Sequence, residues 1–318
     1  MRKLFSAVRC RGAVQASSLE SKLLEMESRA AFGSIRNSHL PKDGRLVLMH
    51  PRPFRARAQR SQSHVVASLS NGVREGLLDG KWAMITGPGS GIGRAISIRF
   101  AEEGGSIVLA GRKPDVLEEV AEECRKAGAP EVEIFLADGL DAGDVESLAE
   151  AVASRVDVLV NNAGMAASGD LQDSLLVGDV DLWERMLTLN VLTPMRLTRI
   201  LAPHLAKRNP GYIINIGSQA GLHASKGNAA YAASKWAMTG WSQSCFEELR
   251  EHDIRVTTLF PHYVQSGMTE EVDIPAERMI KPEDVAEAAL LPFRLSELAC
   301  PTEIMIGNAM PIKSPHRR

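Results

Sequence analysis

Tyr231 and Lys235 stand four residues apart in YAASKWAM, a run without Pro or Gly that reads as helix. Four residues is a little over one turn, so a phenol and an amine project from the same face. An ammonium beside a phenol favours the phenolate and draws the phenol's pKa down from its ordinary value of about 10. Such a phenol can give or take a proton at a substrate oxygen. Ser218, thirteen positions before the tyrosine, follows the strand-like run YIINIG and can hydrogen-bond the same oxygen. A surface helix with an incidental Tyr and Lys would carry the same letters, and YxxxK alone decides nothing. The decision falls to the elements around it.

From Leu77 those elements come at a regular pitch. KWAMIT, SIVLA, EVEIFLA, VDVLV, YIINIG, IRVTTLF and TEIMIG read as seven strands. Between them fall helical stretches: IGRAISIRFAEEGG, PDVLEEVAEECRKAG, 141–154, 180–207, 229–251 and one opening at Pro282 with Glu283 and Asp284 in its first turn. The strands are apolar throughout rather than alternating, which predicts a parallel sheet covered by helices on both faces. The expected fold is therefore α/β, a doubly wound parallel seven-stranded sheet, in one domain spanning 77–318. Thr86–Gly93, reading TGPGSGIG, lies between the first strand and first helix, where such a sheet takes a dinucleotide. There Gly87 and Gly91 permit a tight turn and close approach of backbone to phosphate, and Gly93 lets helix and strand pack closely. The helix N-terminus favours the pyrophosphate.

The spacing TGxxxGxG differs from the GxGxxG of most dinucleotide folds. Together with NNAG at Asn161–Gly164, Ser218 and YxxxK, it resembles the short-chain dehydrogenase/reductase family in its single-domain branch. The likeness runs from about Gly80 to the end. It implies a Rossmann fold and hydride transfer between a nicotinamide and a carbonyl or secondary alcohol. Tyr231 would be the catalytic acid/base. Lys235 would bind the nicotinamide ribose and lower the tyrosine's pKa, and Ser218 would orient the substrate carbonyl. Asn190, in MLTLNVLTPM, matches an asparagine that holds a proton-relay water through a helix distortion. Thr86, Gly87, Ser90, Gly91, Ile92 and Gly93 would cradle the cofactor. Asn161, Asn162, Ala163 and Gly164 would support the central strand and pass near it, and Asp138 would lie close to the adenine. After the sixth strand Pro261, Val264 and Ser266 keep the family's places, with the Val264 backbone available to the nicotinamide amide.

Two departures stand out. His262 occupies the place where the family usually has glycine. It either lines the substrate cleft and adds specificity or is a passive wall residue, strained if that position needs a positive φ. Segment 267–281 is short where relatives often carry a long mobile lid, which implies a more open or smaller pocket.

The cofactor can be argued physically. An NAD enzyme usually ends its second strand with an acid that grips the adenosine ribose and repels a 2′-phosphate. Here Leu109-Ala110-Gly111 is followed by Arg112 and Lys113, and the nearest acid, Asp115, falls inside the next helix. Two cations and no carboxylate predict NADP(H). The runs GYIINIGSQAG and RMIKPEDVAEAALLPFRLSELACPTEIMI look most like NADP-dependent 3-hydroxy acid dehydrogenases. The 3-oxoacyl-carrier-protein reductases are also similar, although NNAGMAASGDL lacks the basic residue that often follows NNAG in them. The expected partner is a small carbonyl or alcohol substrate, here a 3-hydroxy or 3-keto acid or an acyl-thioester. A catalytically inactive, nucleotide-sensing Rossmann protein is the alternative, and a sugar-nucleotide epimerase a more distant one.

Composition bounds the remainder. The chain has 318 residues, 44% hydrophobic and 24% charged, with net charge −2. Residues 1–76 carry 14 Lys and Arg against 5 Asp and Glu, leaving 23 basic and 34 acidic residues, net −11, for the rest. Nothing in that acidic part makes a nucleic-acid stripe, and no apolar run is long enough to span a bilayer. Four scattered cysteines and eight histidines show no ligand spacing, so no metal is expected. The segment 1–76 is Arg-rich, Ser-rich and acid-poor, as organelle transit peptides are. It predicts a disordered extension and delivery to the chloroplast stroma or mitochondrial matrix, with a cytoplasmic protein if the extension is no targeting signal. Relatives pair through the helices at 180–207 and 229–251, whose surplus of apolar residues predicts a homodimer or homotetramer.

Overall fold

Runs of branched and aromatic residues alternate with helices throughout the residues that the structure, a computed structural model, describes: 75–167 and 173–311. The targeting expectation for 1–76 lies outside them, apart from Glu75 and Gly76. The first half comprises β1 (Trp82–Thr86), α1 (Gly91–Glu102), β2 (Ser106–Gly111), α2 (Pro114–Ala127), β3 (Val132–Leu136), α3 (Ala142–Val152) and β4 (Val158–Asn161). Then follow α4 (Val180–Leu187), a π turn (Thr188–Leu192), α5 (Thr193–Leu205), β5 (Gly211–Ile216) and α6 (Ala229–Leu249). β6 (Ile254–Pro261), α7 (Pro282–Ala289), the short α8 (Leu291–Arg294) and β7 (Glu303–Ile306) complete the domain.

All seven strands are parallel, in the order β3-β2-β1-β4-β5-β6-β7. The winding reverses between β1 and β4, and at such a switch point the loops leaving the two strands diverge and open a crevice. Successive strand residues point to opposite faces, which splits the core in two. Ala83, Ile85, Val158, Val160 and Ile214 pack with Phe100 of α1, Leu117 of α2 and Val285 of α7. Met84, Leu159 and Ile213 pack with Val145 of α3 and Leu197 and Leu201 of α5. Each fully buried Val, Leu, Ile, Phe or Met side chain among them contributes about 1.5–3 kcal/mol.

The expected helix over 180–207 is two helices. Pro194 has no N–H to give the Asn190 carbonyl, so the α ladder cannot run through, and one turn widens into the π form. Leu187, Leu192 and Met195 along this stretch, and Trp236 on α6, are exposed apolar side chains. Among the described residues no helix is long and apolar enough to cross a membrane.

Candidate functional site

The carboxyl ends of six strands converge on one cleft of about 1670 Å³, large enough for a dinucleotide and a second ligand. Gly87 follows β1, Arg112 β2, Asp138 β3, Asn162 β4, Ser218 β5 and His262 β6, and all six line it.

The glycine loop is tied down within the protein. Thr86 Oγ1 donates to the Val160 carbonyl at 3.2 Å and accepts from the backbone N–H groups of Asn162 and Ala163, both at 3.0 Å. Asn162 returns the contact: its Nδ2 donates to the carbonyls of Thr86 and Gly87, each at 2.9 Å. Thr86 and Asn162 thus act as struts joining β1 to β4. Gly87 and Gly91 take positive φ, 64° and 53°, as the tight turn requires. Gly93 lets α1 come close to the ends of β1 and β4: a Cβ there would stand 2.4 Å from both Asn162 Nδ2 and the Gly87 carbonyl, so the glycine also makes room for the strut. Asn161 Nδ2 donates to Asn215 Oδ1 at 2.9 Å, bridging β4 and β5 as expected of a residue supporting the central strand.

Ser90, Gly91, Ile92, Ala163 and Gly164 line the cleft. Arg112 is exposed at its rim, with no ion pair among the described residues. Lys113 is exposed at the N-cap position of α2, the helix that holds Asp115 in its first turn, and is not among the residues lining the cleft.

At the other end stand Tyr231, Lys235 and Ser218 together. Tyr231 is half-buried and Lys235 buried on one face of α6, with Lys235 Nζ 5.7 Å from the Tyr231 ring centroid. Ser218 Oγ accepts from Ala220 N–H at 3.1 Å, and its hydroxyl acts on the Tyr231 phenol, drawing its pKa down. The ammonium alone would draw the phenol's pKa down. Instead burial holds it above its ordinary value, with the Ser218 hydrogen bond opposing. Lys235 directs its amine to the Ile216 carbonyl at 2.9 Å, and burial lowers its own pKa to about 8.

Asn190 lies behind the cleft wall in the π turn, 2% exposed. Its Oδ1 accepts from Met165 N–H at 2.8 Å, and its Nδ2 donates to the Met165 carbonyl at 2.9 Å and to Ser234 Oγ at 3.0 Å. The side chain therefore locks the loop after β4 to α6. Asp173, which no motif announced, does the same from farther along that loop. It is buried, and its carboxylate accepts the N–H groups of Ala230 at 2.8 Å and Tyr231 at 3.3 Å, at the start of α6.

Pro261, Val264 and Ser266 line the cleft after β6. Thr269 Oγ1 donates to the Val264 carbonyl at 2.6 Å, and Ser266 Oγ reaches the same oxygen at 3.4 Å. His262 is not strained: the positive-φ residues other than glycine are Asn209 and Asp253 among those described. Its N–H extends the β6–β7 ladder to the Ile306 carbonyl at 2.9 Å. The short segment after Ser266 forms 3-10 turns at Gly267–Thr269 and Ala276–Arg278, and its Met268, Glu270 and Asp273 help wall the cleft.

A parallel doubly wound sheet with a tied glycine loop and a Ser–Tyr–Lys cluster at its switch-point crevice defines a dinucleotide-dependent class of protein. The pattern described as short chain dehydrogenase matches residues 81–276, and the chain belongs to that family. It is 31% identical to a 3-oxoacyl-(acyl-carrier-protein) reductase of Thermotoga maritima, over 67% of this chain and 90% of that one. A crystal structure of a metagenomic short-chain oxidoreductase in complex with NADP superposes with TM-score 0.64 at 31% identity, over 74% of this chain and 100% of the other. A short-chain dehydrogenase from Sphingobium yanoikuyae in complex with NADPH gives TM-score 0.63 at 28% identity, over 73% and 89%.

Proposed function

We propose that this protein interconverts a carbonyl and a secondary alcohol by hydride transfer with NADP(H), Tyr231 acting as acid and base at the oxygen. Family membership and relatives in complex with NADP and NADPH support the oxidoreductase class and the cofactor. The observation that carries the chemistry is that Ser218, Tyr231 and buried Lys235 line one cleft, with Lys235 Nζ 5.7 Å from the Tyr231 ring centroid.

When bound, NADPH supplies the hydride. Ser218 donates a hydrogen bond to the carbonyl oxygen and so polarises the carbon. Tyr231 gives its phenolic proton to that oxygen as charge develops, and the Lys235 ammonium stabilises the phenolate left behind. In alcohol oxidation the same groups act in reverse. A phenol held above its ordinary pKa keeps its proton at neutral pH, the form that can donate to a carbonyl oxygen. Arg112, just past the end of β2 and in no ion pair among the described residues, offers a fork of donors to a 2′-phosphate. A 3-keto acid or acyl-thioester substrate is supported by the likeness to the Thermotoga reductase.

The test is NADPH oxidation by purified protein against a panel of keto acids and acyl-thioesters. Tyr231→Phe is expected to cut turnover by about 100-fold or more while leaving NADPH affinity nearly intact. Undiminished turnover in that variant would overturn the mechanism.

A further inference from the structure

Tyr231 is the third residue of α6, in the first turn, where backbone N–H groups have no acceptor within the helix. Helix ends fray unless something caps them, and a side chain placed there shares the fate of its backbone. Asn228, in the capping place, makes no side-chain cap hydrogen bond. The chain leading up to it is exposed from His223 to Gly227 and offers little packing. The cap comes instead from Asp173, between β4 and α4. Its Oδ1 accepts the Ala230 N–H at 2.8 Å and its Oδ2 the Tyr231 N–H at 3.3 Å. One carboxylate thus takes the second and third N–H groups of the helix, an oxygen to each, on a residue only 3% exposed. Charge-assisted bonds and the helix dipole both favour a carboxylate there. The other side of Tyr231 is held too. Its carbonyl accepts from Ser234 Oγ at 2.7 Å, which in turn accepts from Asn190 Nδ2 at 3.0 Å.

We propose that Asp173 is a positioning residue of the reaction: its two-oxygen clamp on the first turn of α6 sets where the Tyr231 phenol stands relative to Ser218 and Lys235. In this role the carboxylate acts through the Tyr231 backbone and not on the reacting oxygen. Proton transfer needs the phenol within hydrogen-bond reach of the substrate oxygen, and a misplacement of about 1 Å costs on the order of 100-fold. Lys235 lies four residues further into the helix, and its amine is fixed on the Ile216 carbonyl. Releasing the clamp therefore displaces the phenol more than the amine. The inference rests on the oxidoreductase reading and adds to it a residue outside the Ser–Tyr–Lys cluster.

The experiment takes Asp173→Ala and Asp173→Asn, each with Tyr231 intact and in the Tyr231→Phe background, with melts to establish that every variant is folded at the assay temperature. Asparagine keeps one acceptor oxygen and so half of the clamp; where alanine fails to fold, Asp173→Asn carries both comparisons. With NADPH and the best substrate of the ketone panel, Asp173→Ala should lose about 30-fold in kcat, with KM and the Kd for NADPH within about threefold of wild type. Asp173→Asn should fall between the two. In the Tyr231→Phe background the further loss should be under about threefold, because no phenolic proton is left to place. An equal loss in both backgrounds, or a loss of NADPH affinity matching that of kcat, makes Asp173 merely structural and overturns the inference.

A second readout needs no turnover: the ultraviolet titration of the Tyr231 phenol, taken as the difference between each protein and its Tyr231→Phe counterpart. Burial holds that pKa above its ordinary value, so a released first turn that admits water should bring it down in Asp173→Ala, and by less in Asp173→Asn. Equal shifts in the two variants would assign the effect to lost charge and overturn the clamp. Turnover by wild type with an unmoved titration in both variants overturns the inference and leaves the oxidoreductase reading standing. A graded shift in a protein that turns over no ketone sustains the clamp and overturns the oxidoreductase reading.

Discussion

Lys235 occupies a place where a charge is costly, and its stability cost can be measured. Its folded-state pKa is about 8 against an ordinary 10.5. Below pH 8 the folded protein carries a buried ammonium. Between pH 8 and 10.5 the unfolded chain binds the extra proton, so stability rises with pH across that window, by about 3 kcal/mol in all. Lys235→Met keeps the stem and drops the charge. After loss of the bond to the Ile216 carbonyl it should still stabilise the protein by about 2 kcal/mol at pH 7, and flatten the rise above pH 8. Urea unfolding at pH 7 and pH 10 measures both, and a variant weaker than wild type at pH 7 would show that the hydrogen bond outweighs desolvation. At the opposite end of the cleft, Arg112→Ala should raise the Kd for NADPH by about tenfold or more, the worth of a hydrogen bond to a charged group, and hardly change that for NADH. Paired titrations decide it: equal losses would make Arg112 structural. Tyr231, Lys235 and Ser218 were legible because helical spacing and a strand end place them. The direction of the tyrosine's pKa was not, since burial is set by the whole fold. Asp173 was invisible for a similar reason: its partners lie 57 and 58 positions away, and no local pattern encodes such a contact.

Strands and helices were legible from apolar runs and the glycines and prolines between them, and the sheet forms in the expected class. What the pattern blurred was the interior of 180–207, where continuous apolar periodicity hid the effect of one missing N–H at Pro194. Asn190 sits at that defect and spends its amide on Met165 and Ser234, so the widened turn joins the loop after β4 to α6. The glycine loop shows the complementary limit. Its position was plain, but the partner of Gly93 is Asn162, from a distant strand end. Gly93→Ala would drive a methyl into a backbone carbonyl and the amide strut at once. The expected cost is about 3 kcal/mol, with loss of NADPH binding, because the loop must shift to accommodate it. Thermal melting and a cofactor titration check both, and wild-type behaviour would mean that the loop is looser than its hydrogen bonds imply.

At the scale of the whole molecule, the doubly wound order divides the work. β1 to β4 carry the glycine loop, Arg112 and Asp138, while β5, α6 and β6 carry Ser218, Tyr231, Lys235 and His262. One crevice serves both because the winding reverses between β1 and β4. The sheet leaves Leu187, Leu192, Met195 and Trp236 facing solvent on the α4–α5 stretch and on α6. We propose that this surface pairs two copies of the chain, as the helices' surplus of apolar residues implies. Its consequence is one of mass action. If folded chains associate and unfolded chains do not, the melting temperature belongs to no single molecule and climbs as the protein is concentrated. Melts over a hundredfold range of concentration, each sample sized by light scattering, should show that climb, and a constant Tm with a monomer's mass would rule the pairing out. A protein of this kind would be least stable just when it is first made and scarce, and would gain its full resistance to heat only as copies accumulate.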